Sequence, residues 1–325
     1  MGYFELYAAY PLAFAFACGF LGLLIGSFLN VVIYRLPVMM EREWHEQCVE
    51  FLEEEAAAKA GKEAGTEPSP LLATKASEAE AAEKRASEKN AFEKKERRFD
   101  LMFPSSHCPN CQHNIRAWEN IPLISYLLLG RKCRQCDEKI SIRYPFVELL
   151  TGVLSFVVAW HFGYSEQAAA GLLFTWLLIA LSFIDYDTQL LPDVITIPMV
   201  WIGLLLSLGV VFVSPTESII GAVAGYLALW SVYQVFKLLT GKEGMGFGDF
   251  KLLSAMGAWL GWKMLPVMIL LSSFAGAVIG IALIVLKLQN KEKPIPFGPY
   301  LAIAGWLTML YGNEIMDYYF QVAVI

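Results

Sequence analysis

Charged residues are scarce over most of this sequence. Only 17% of its 325 residues are Asp, Glu, Lys or Arg, and most of these lie between residues 41 and 143. The flanking parts are long, nearly uncharged apolar runs, and 56% of the chain is hydrophobic. A soluble core of this size does not need so many unbroken apolar runs. The sequence therefore argues against one large soluble domain and predicts an all-α polytopic membrane protein.

The signatures of soluble nucleotide-binding folds are also missing. The glycine-rich stretch GMGFGD is not followed by G-K-[ST] and lies in no βαβ pattern, which argues against a phosphate-binding loop. No G-x-G-x-x-G follows a predicted strand, so a soluble α/β methyltransferase domain is not indicated. The first apolar run lacks the basic start of a signal peptide, is too long for one and ends in Arg35. We expect this run to be retained as a helix, and we expect no nucleic-acid partner.

Eight apolar runs are predicted to span the membrane. Two of them, the sixth and the eighth, are short for a bilayer of about 30 Å, so whether they cross fully stays open. The runs cover approximately residues 10–34, 144–161, 168–184, 194–213, 219–238, 250–262, 267–286 and 297–311.

The basic residues predict the orientation of these spans, because Lys and Arg concentrate on the cytoplasmic side. With Arg35 inside, eight crossings place 24 of the 25 Lys and Arg residues in the cytoplasm and only Lys263 outside. Both termini then face the periplasm. The same threading, chosen from loop charges alone, brings Asp185 and Asp249 to the cytoplasmic membrane boundary at one depth.

The sequence divides into four predicted parts. They are a first membrane helix (1–36), a charged cytoplasmic insert (37–100), a cytoplasmic four-cysteine module (101–143) and a seven-helix membrane core (144–325). Residues 41–100 of the insert carry 16 acidic and 11 basic residues, a net charge of −5. This composition favours a solvated helix or helical hairpin, with disorder as the competing interpretation.

One apolar segment of the four-cysteine module is too short to span the membrane. It has the sequence IPLISYLLLG and covers residues 121–130. We expect it to pack the module either against the membrane or against the module's own core.

Four cysteines occur in two C-x-x-C hooks, CPNC at 108–111 and CRQC at 133–136. Two such hooks can complete a tetrahedron of thiolates around zinc. The predicted cytoplasmic location is reducing, which disfavours two disulfides or a redox dithiol, the alternative interpretations. Because all four ligands are cysteines, the zinc is expected to be structural. His107 and His113 flank the first hook and are interpreted as bystanders. The predicted ligands are Cys108, Cys111, Cys133 and Cys136.

Two aspartates lie at the ends of apolar runs, where ionisable groups are costly and are functional candidates by default. Asp185 follows LLIALSFI. Asp249 is the last residue of the glycine-rich stretch GMGFGD, which we term the hinge. An aspartic protease needs a pair of carboxylates, one acting as base while the other holds the proton. Asp187 is expected to be more solvated, and Asp193 is interpreted as a helix N-cap. A capping role is also the alternative for Asp249.

Three glycines and one glutamate complete the candidate positions. Gly244, Gly246 and Gly248 precede or adjoin Asp249, and their lack of a Cβ atom permits positive φ and close approach of a substrate backbone. Glu148 lies within an apolar run about one turn from its cytoplasmic end, where a carboxylate needs a partner or a proton. Pairing with Arg143 or with a helix end, and a role in a binding pocket, all stay open.

Several stretches of the chain together resemble one protein family. They are GSFLNVVIYRLP, the paired C-x-x-C hooks, RYPFVELLTG, IDYDTQLLPD, GKEGMGFGDFKLL and PIPFGPYLAIAGW. This set resembles the bacterial prepilin leader peptidase/N-methyltransferases, membrane aspartic proteases with a G-x-G-D motif. The resemblance extends over nearly the whole chain, although the stretch between about Gly61 and Arg98 looks longer than this region usually is.

The resemblance implies both a site and two reactions. The catalytic aspartates fall on Asp185 and Asp249, with Gly246 and Gly248 supporting, and the zinc ligands fall on the four hook cysteines. In such a family the basic leader of a type IV prepilin or a type II secretion pseudopilin is cleaved at the cytoplasmic face of the inner membrane. The new N-terminal amine is then methylated with S-adenosylmethionine. The sequence assigns no residue to the methyl transfer.

Two other functions compete with this one. The first is a peptidase without methyl transfer, in which the cysteine module serves folding or docking. The second is a transporter whose carboxylates relay protons or bind a cation. A transporter needs carboxylates along a path through the bilayer, and the outer halves of the predicted spans carry none.

Overall fold

The computed structural model describes residues 10–63, 99–242, 244–286 and 296–323. Within these ranges all regular structure is helical, apart from two isolated β-bridges. Short 3₁₀ helices cover Ala117–Asn120 and Trp262–Met264. The α-helices are α1 (Pro11–Glu63), α2 (Ile124–Leu128), α3 (Arg143–Phe162), α4 (Glu166–Thr188), α5 (Asp193–Leu208), α6 (Pro215–Thr240), α7 (Phe247–Leu260), α8 (Leu265–Val285) and α9 (Gly298–Ala323).

The ends of the membrane helices follow local sequence signals. At the start of α4 the Ser165 hydroxyl accepts the amide N–H of Ala168, and α6 begins with a capping box formed by Ser214 and Glu217. The C-cap of α6 is Gly241, whose φ of 69° suits a residue without a side chain. These caps satisfy backbone groups that would otherwise be unpaired at the helix ends.

Five helices in the described part of the chain are long and apolar enough to cross a membrane. They correspond to the first, second, third, fifth and seventh predicted spans, which confirms an all-helical protein with membrane helices. The fourth, sixth and eighth predicted spans are also helices, namely α5, α7 and α9, but eight crossings stay a prediction. The five candidate spans are Pro11–Glu55, Arg143–Phe162, Glu166–Thr188, Pro215–Thr240 and Trp262–Ala282.

The described chain separates into two compact units. The described parts of 34–115 form one, and the described parts of 1–33 and 116–325 form the other. In the first unit, residues 41–55 of α1 are exposed and helical, as expected for a solvated helix. Residues 64–98, on which the rest of the helical-hairpin prediction falls, lie outside the described residues. The predicted domain boundaries stay predictions.

Within the unit of residues 34–115, Arg35 organises the chain that follows the insert. Its guanidinium donates to the carbonyls of Asp100, at 2.9 Å, and Pro104, at 2.6 Å, and lies over the ring of Phe99. Arg42, two turns later in α1, lies over the same ring at 4.3 Å. Residues 99–104 are thereby held against α1.

Helix α7 forms the centre of the larger unit, and small residues let its neighbours approach closely. A Cβ atom on Gly221 of α6 would lie 2.1 Å from the carbonyl oxygen of Gly257 in α7. Beside this contact the Ser218 hydroxyl donates to the Ala258 carbonyl, at 2.6 Å, and the Ser254 hydroxyl donates to the Ala222 carbonyl, at 2.8 Å. Such close packing of small residues, with hydroxyls bonded across it, is how membrane helices associate.

Candidate active site and four-cysteine cluster

Asp185 lies in the last turn of α4 and is buried, with 5% of its surface exposed. Its Oδ2 accepts the backbone N–H of Gly298, the first residue of α9, at 2.9 Å. The first amides of a helix are unpaired within the helix and carry its positive dipole end, so they stabilise a carboxylate. The start of α9 therefore orients the Asp185 side chain.

Asp249 lies in the first turn of α7 and is 7% exposed. Among the described residues no hydrogen-bond partner is found for its buried Oδ1. Leu191, which follows α4, lies against Gly248, the residue before Asp249, and against Gly298, the partner of Asp185. A buried polar atom without a partner is rare in folded proteins and is often functional. Residues beside both buried carboxylates thus pack on one side chain, Leu191, and the catalytic role of the pair stays a prediction.

The neighbouring aspartates are engaged in ion pairs. Asp187 receives both terminal nitrogens of Arg143, one of them at 3.0 Å. Asp193 receives the Nζ of Lys251, at 2.7 Å to each carboxylate oxygen. The N-cap interpretation of Asp193 is wrong, because Pro192 is the N-cap and Asp193 is the first residue of α5, where its charge still suits the helix dipole.

The glycines before Asp249 differ from expectation in their backbone angles. None of Gly244, Gly246 and Gly248 is among the described glycines with positive φ, and Gly246 has φ −77°. A close contact within the protein is present instead, because a Cβ on Gly248 would lie 2.6 Å from the Cβ of Leu191, and the approach of a substrate backbone stays a prediction. Leu191 follows α4, so Gly248 lets the first turn of α7 approach the segment that follows Asp185. A Cβ on Gly246 would make only ordinary contacts, with the Asp249 Oδ2 at 3.7 Å and the Gly248 N at 4.0 Å.

Sequence reasoning did not identify Gly298 as a site residue. An ideal Cβ on Gly298 would lie 2.6 Å from the Asp185 Oδ2, so the hydrogen bond requires glycine at this position. The available signal is the Phe297-Gly298-Pro299 sequence at the start of the eighth predicted span, since Pro in the first turn favours a helix start. The partner, 113 residues away, is not visible in the sequence.

Glu148 pairs with a helix end, which is one of the alternatives that the sequence leaves open. Its Oε2 accepts the backbone N–H of Leu123, the residue before α2, at 2.9 Å. Its carboxylate is also hydrogen-bonded to the Ser27 side chain. Arg143, the other proposed partner, is paired with Asp187 instead.

Both C-x-x-C hooks form the same kind of turn. In the first, Cys108 N–H donates to the His113 carbonyl and Gln112 N–H donates to the Cys108 carbonyl; in the second, Cys133 N–H donates to Glu138 and Asp137 N–H donates to Cys133. Gln112 and Asp137 both adopt positive φ, at 59° and 56°.

The four sulfur atoms of the hooks all lie within 4.8 Å of one another. A tetrahedral zinc with Zn–S bonds of about 2.3 Å requires sulfurs roughly 3.8 Å apart, so the arrangement fits the ion after a small contraction. His107 and His113 are not members of the cluster. The cluster could therefore bind a metal through Cys108, Cys111, Cys133 and Cys136.

Comparisons with known proteins cover most of the chain. Residues 20–162 match the model of the bacterial peptidase A24 N-terminal domain, and residues 172–281 match that of the type IV leader peptidase family. A prepilin leader peptidase/N-methyltransferase of Stutzerimonas stutzeri is 52% identical over 98% of both chains. Proteins of the same name from Pseudomonas aeruginosa and Legionella pneumophila are 51% and 41% identical, over 97% and 95% of this chain and 97% and 96% of their own. No solved structure matches the chain.

Proposed function

Since the chain belongs to the type IV leader peptidase family, we propose that it cleaves prepilins with Asp185 and Asp249 as the catalytic pair and methylates the new N-terminus. The observation that carries the proteolytic part is a pair of buried aspartates at two helix ends, with no partner found among the described residues for the Asp249 Oδ1, while the nearby Asp187 and Asp193 are held in ion pairs. An aspartate neutralised by a cation has little capacity to activate water, whereas a coupled pair can share a proton.

We infer the roles of the two carboxylates from their hydrogen bonds. Both carboxylates accept a backbone N–H, Asp185 from Gly298 and Asp249 from Gly246, and such bonds stabilise an ionised carboxylate. Only Asp249 keeps a buried oxygen, Oδ1, without a partner among the described residues, so we assign the proton to Asp249 and the role of base to Asp185. Asp185 takes a proton from water, the resulting hydroxide attacks the scissile carbonyl, and Asp249 hydrogen-bonds the oxygen that becomes negative. Breaking the C–N bond then requires a proton on the leaving amine, which the pair supplies.

We infer the substrate from the family of the chain, and its orientation from the distribution of Lys and Arg among the loops. The apolar helices and the family indicate an inner-membrane protein. In the proposed membrane topology the two aspartates lie at the cytoplasmic face, where the basic leader of a prepilin or pseudopilin stays. The apolar segment after the cut then lies among the membrane helices and lipid.

For the second reaction, S-adenosylmethionine is the proposed methyl donor to the amine that cleavage releases. No residue is assigned to this transfer. The four-cysteine cluster is proposed to hold a structural zinc, because four thiolates fill the tetrahedron and leave no position for a substrate.

Cleavage and methylation of a purified prepilin by the full chain in detergent test this proposal. With S-adenosylmethionine present, mass spectrometry should show loss of the leader and gain of one methyl group. Asp185→Asn and Asp249→Asn should each lower cleavage by about 10²–10⁴-fold, the usual contribution of a general acid or base. Asp187→Asn, which breaks only the ion pair with Arg143, is the matched control and should retain cleavage.

Three outcomes would change the proposal. Full cleavage by either variant of the pair would move the chemistry to another aspartate. Leader loss without methylation in the wild-type chain would leave a peptidase only. Inactivity of folded wild-type protein on a substrate that a relative cleaves would overturn the proteolytic function.

A further inference from the structure

The segment around α2 exposes apolar side chains and buries a polar one. Leu127 and Leu128 are 70% and 82% exposed, and Trp118, Ile121 and Ile124 are exposed as well. In the middle of the segment Ser125 is buried, and its hydroxyl donates to the Trp118 carbonyl, at 2.8 Å, and accepts the Ile121 N–H, at 2.9 Å. This pattern is the reverse of a short helix packed on a soluble core, and contiguous exposed apolar surface marks an interaction site.

A partly buried hydrogen bond to a membrane helix indicates the depth of this segment. Leu123 donates its backbone N–H to Glu148, which lies in the second turn of α3, a candidate membrane span. The segment therefore lies at the level where α3 enters the bilayer. On α3 itself Phe146 and Leu149 are exposed within one turn of Glu148, so the lipid-facing surface of the helix begins at the same level.

Cations border the apolar side chains. The guanidinium of Arg116 lies over the ring of Trp118, 5.2 Å from its centroid, and Arg131 and Lys132 are exposed directly after the segment. Trp and basic residues are typical of the headgroup region, where Lys and Arg are attracted by anionic lipid.

We propose that residues 118–132, which we term the surface segment, lie in the headgroup region of the bilayer and bind anionic lipid through Arg131 and Lys132. Of the two packing partners that the sequence allows for this stretch, the membrane is the one that its exposure and depth favour. The second C-x-x-C hook, which begins at Cys133, thereby follows directly on a lipid-bound element. The proposal does not depend on the catalytic function.

Photo-crosslinking of the full chain in lipid nanodiscs tests this binding. A benzoylphenylalanine at position 128 should form adducts whose mass is that of a lipid. The same probe at position 138, which is exposed in the same module but lies beyond the second hook, should form none. Crosslinks from position 128 to a second copy or to an added prepilin, in place of lipid, would overturn the proposal.

Hydrogen exchange of the peptide covering residues 121–130 tests the charge dependence. In nanodiscs of phosphatidylcholine with phosphatidylglycerol, protection should exceed that in phosphatidylcholine alone. Arg131→Gln and Lys132→Gln should each lower it about fivefold, as expected for the loss of one cation near an anionic surface. Equal protection in the two lipid compositions would refute the role of the cations, and retained prepilin cleavage shows that each variant is folded.

Discussion

The geometry of Asp185 depends on a residue that has no side chain. Gly298 donates its amide to the carboxylate at 2.9 Å, and the space where its Cβ would lie is taken by the same carboxylate. Gly298 is thus a positioning residue that acts through Asp185. Because it opens α9, it also ties the orientation of the proposed base to the packing of the last helix.

Gly298→Ala is expected to lower kcat/KM for prepilin cleavage by about 10²-fold, since a displacement of about 1 Å in a catalytic group has this effect. The new Cβ, 2.6 Å from the Asp185 Oδ2, forces the carboxylate or the start of α9 to move. Steady-state cleavage of a prepilin measures the change. The matched control is Gly276→Ala in α8, where the nearest atom to a Cβ is on Tyr300 at an ordinary 3.4 Å. Equal activity of both variants would contradict the positioning role.

At the residue scale, the sequence indicates candidate residues better than it indicates their contacts. Asp185 and Asp249 can be selected because a carboxylate at the end of an apolar run is costly unless it has a function, and both are buried, while their catalytic role stays a prediction. The ion pair of Asp193 with Lys251 and the hydrogen bond of Asp185 to Gly298 join residues 58 and 113 positions apart, so local patterns contain no trace of them. The N-cap interpretation of Asp193 was wrong by one position, because Pro192 is the N-cap.

At the scale of elements, the contact between α6 and α7 determines where Asp249 lies. Gly257→Ala would place a Cβ 2.1 Å from the carbonyl oxygen of Gly221, which is backbone and does not rotate away. We expect a loss of roughly 1–3 kcal/mol in stability, as for an overpacked core, together with reduced cleavage. Thermal unfolding in detergent and the cleavage assay measure both. Gly209→Ala, whose nearest neighbours are at 3.7 Å, should change neither; a stable and active Gly257→Ala would show that the helices separate easily.

Metal content is the property to measure for the two hooks. Cys133→Ser removes one of four thiolates and should reduce bound zinc in the purified chain, with faster hydrogen exchange in the second hook. Elemental analysis gives the stoichiometry. Cys48→Ser is the control, because Cys48 is exposed in α1 and outside the cluster. Unchanged zinc in Cys133→Ser would contradict the proposed ligand set.

The hooks and the hinge show which elements a sequence can specify. A C-x-x-C turn is local, and the spacing alone predicts that its two thiols converge, as the structure has them. The positive φ expected of the hinge glycines did not occur, because the close approach at Gly248 comes from the packing of α7 on Leu191. That packing is tertiary, and glycine content cannot distinguish it from a strained turn.

At the scale of the whole molecule, contacts between helix ends constrain the number of crossings. Asp185 lies in the last turn of α4, and the first turn of α7, which holds Asp249, packs on Leu191 just after α4; α5 and α6 must therefore leave and return to one side. Gly298, the first residue of α9, is hydrogen-bonded to Asp185, so α7 and α8 must likewise leave and return to the side on which Asp185 lies. The Arg143–Asp187 ion pair joins the start of α3 to the end of α4, and Asn30 of α1 donates to the Tyr144 carbonyl at 3.1 Å.

These contacts favour crossing by α5 and α7, although α7 extends only about 21 Å along its axis at 1.5 Å per residue. Nearly every residue of α7 is buried within the larger unit, so it does not need the length of a helix that faces lipid. We therefore expect seven crossings before α9, and the eighth depends on α9. At 26 residues α9 is about 39 Å long, which suffices to cross.

Both chain termini are therefore expected in the periplasm, on the side opposite the aspartates, with Lys263 between α7 and α8 on the same side. Epitope tags at either end should be removed by protease added to spheroplasts, without permeabilisation of the inner membrane. A tag inserted after residue 241, beyond α6, is the cytoplasmic control and should be protected. A protected C-terminal tag beside an accessible N-terminal one would mean that α9 turns back at its Tyr311 kink. The chain would then cross seven times, and the pair would keep its cytoplasmic location.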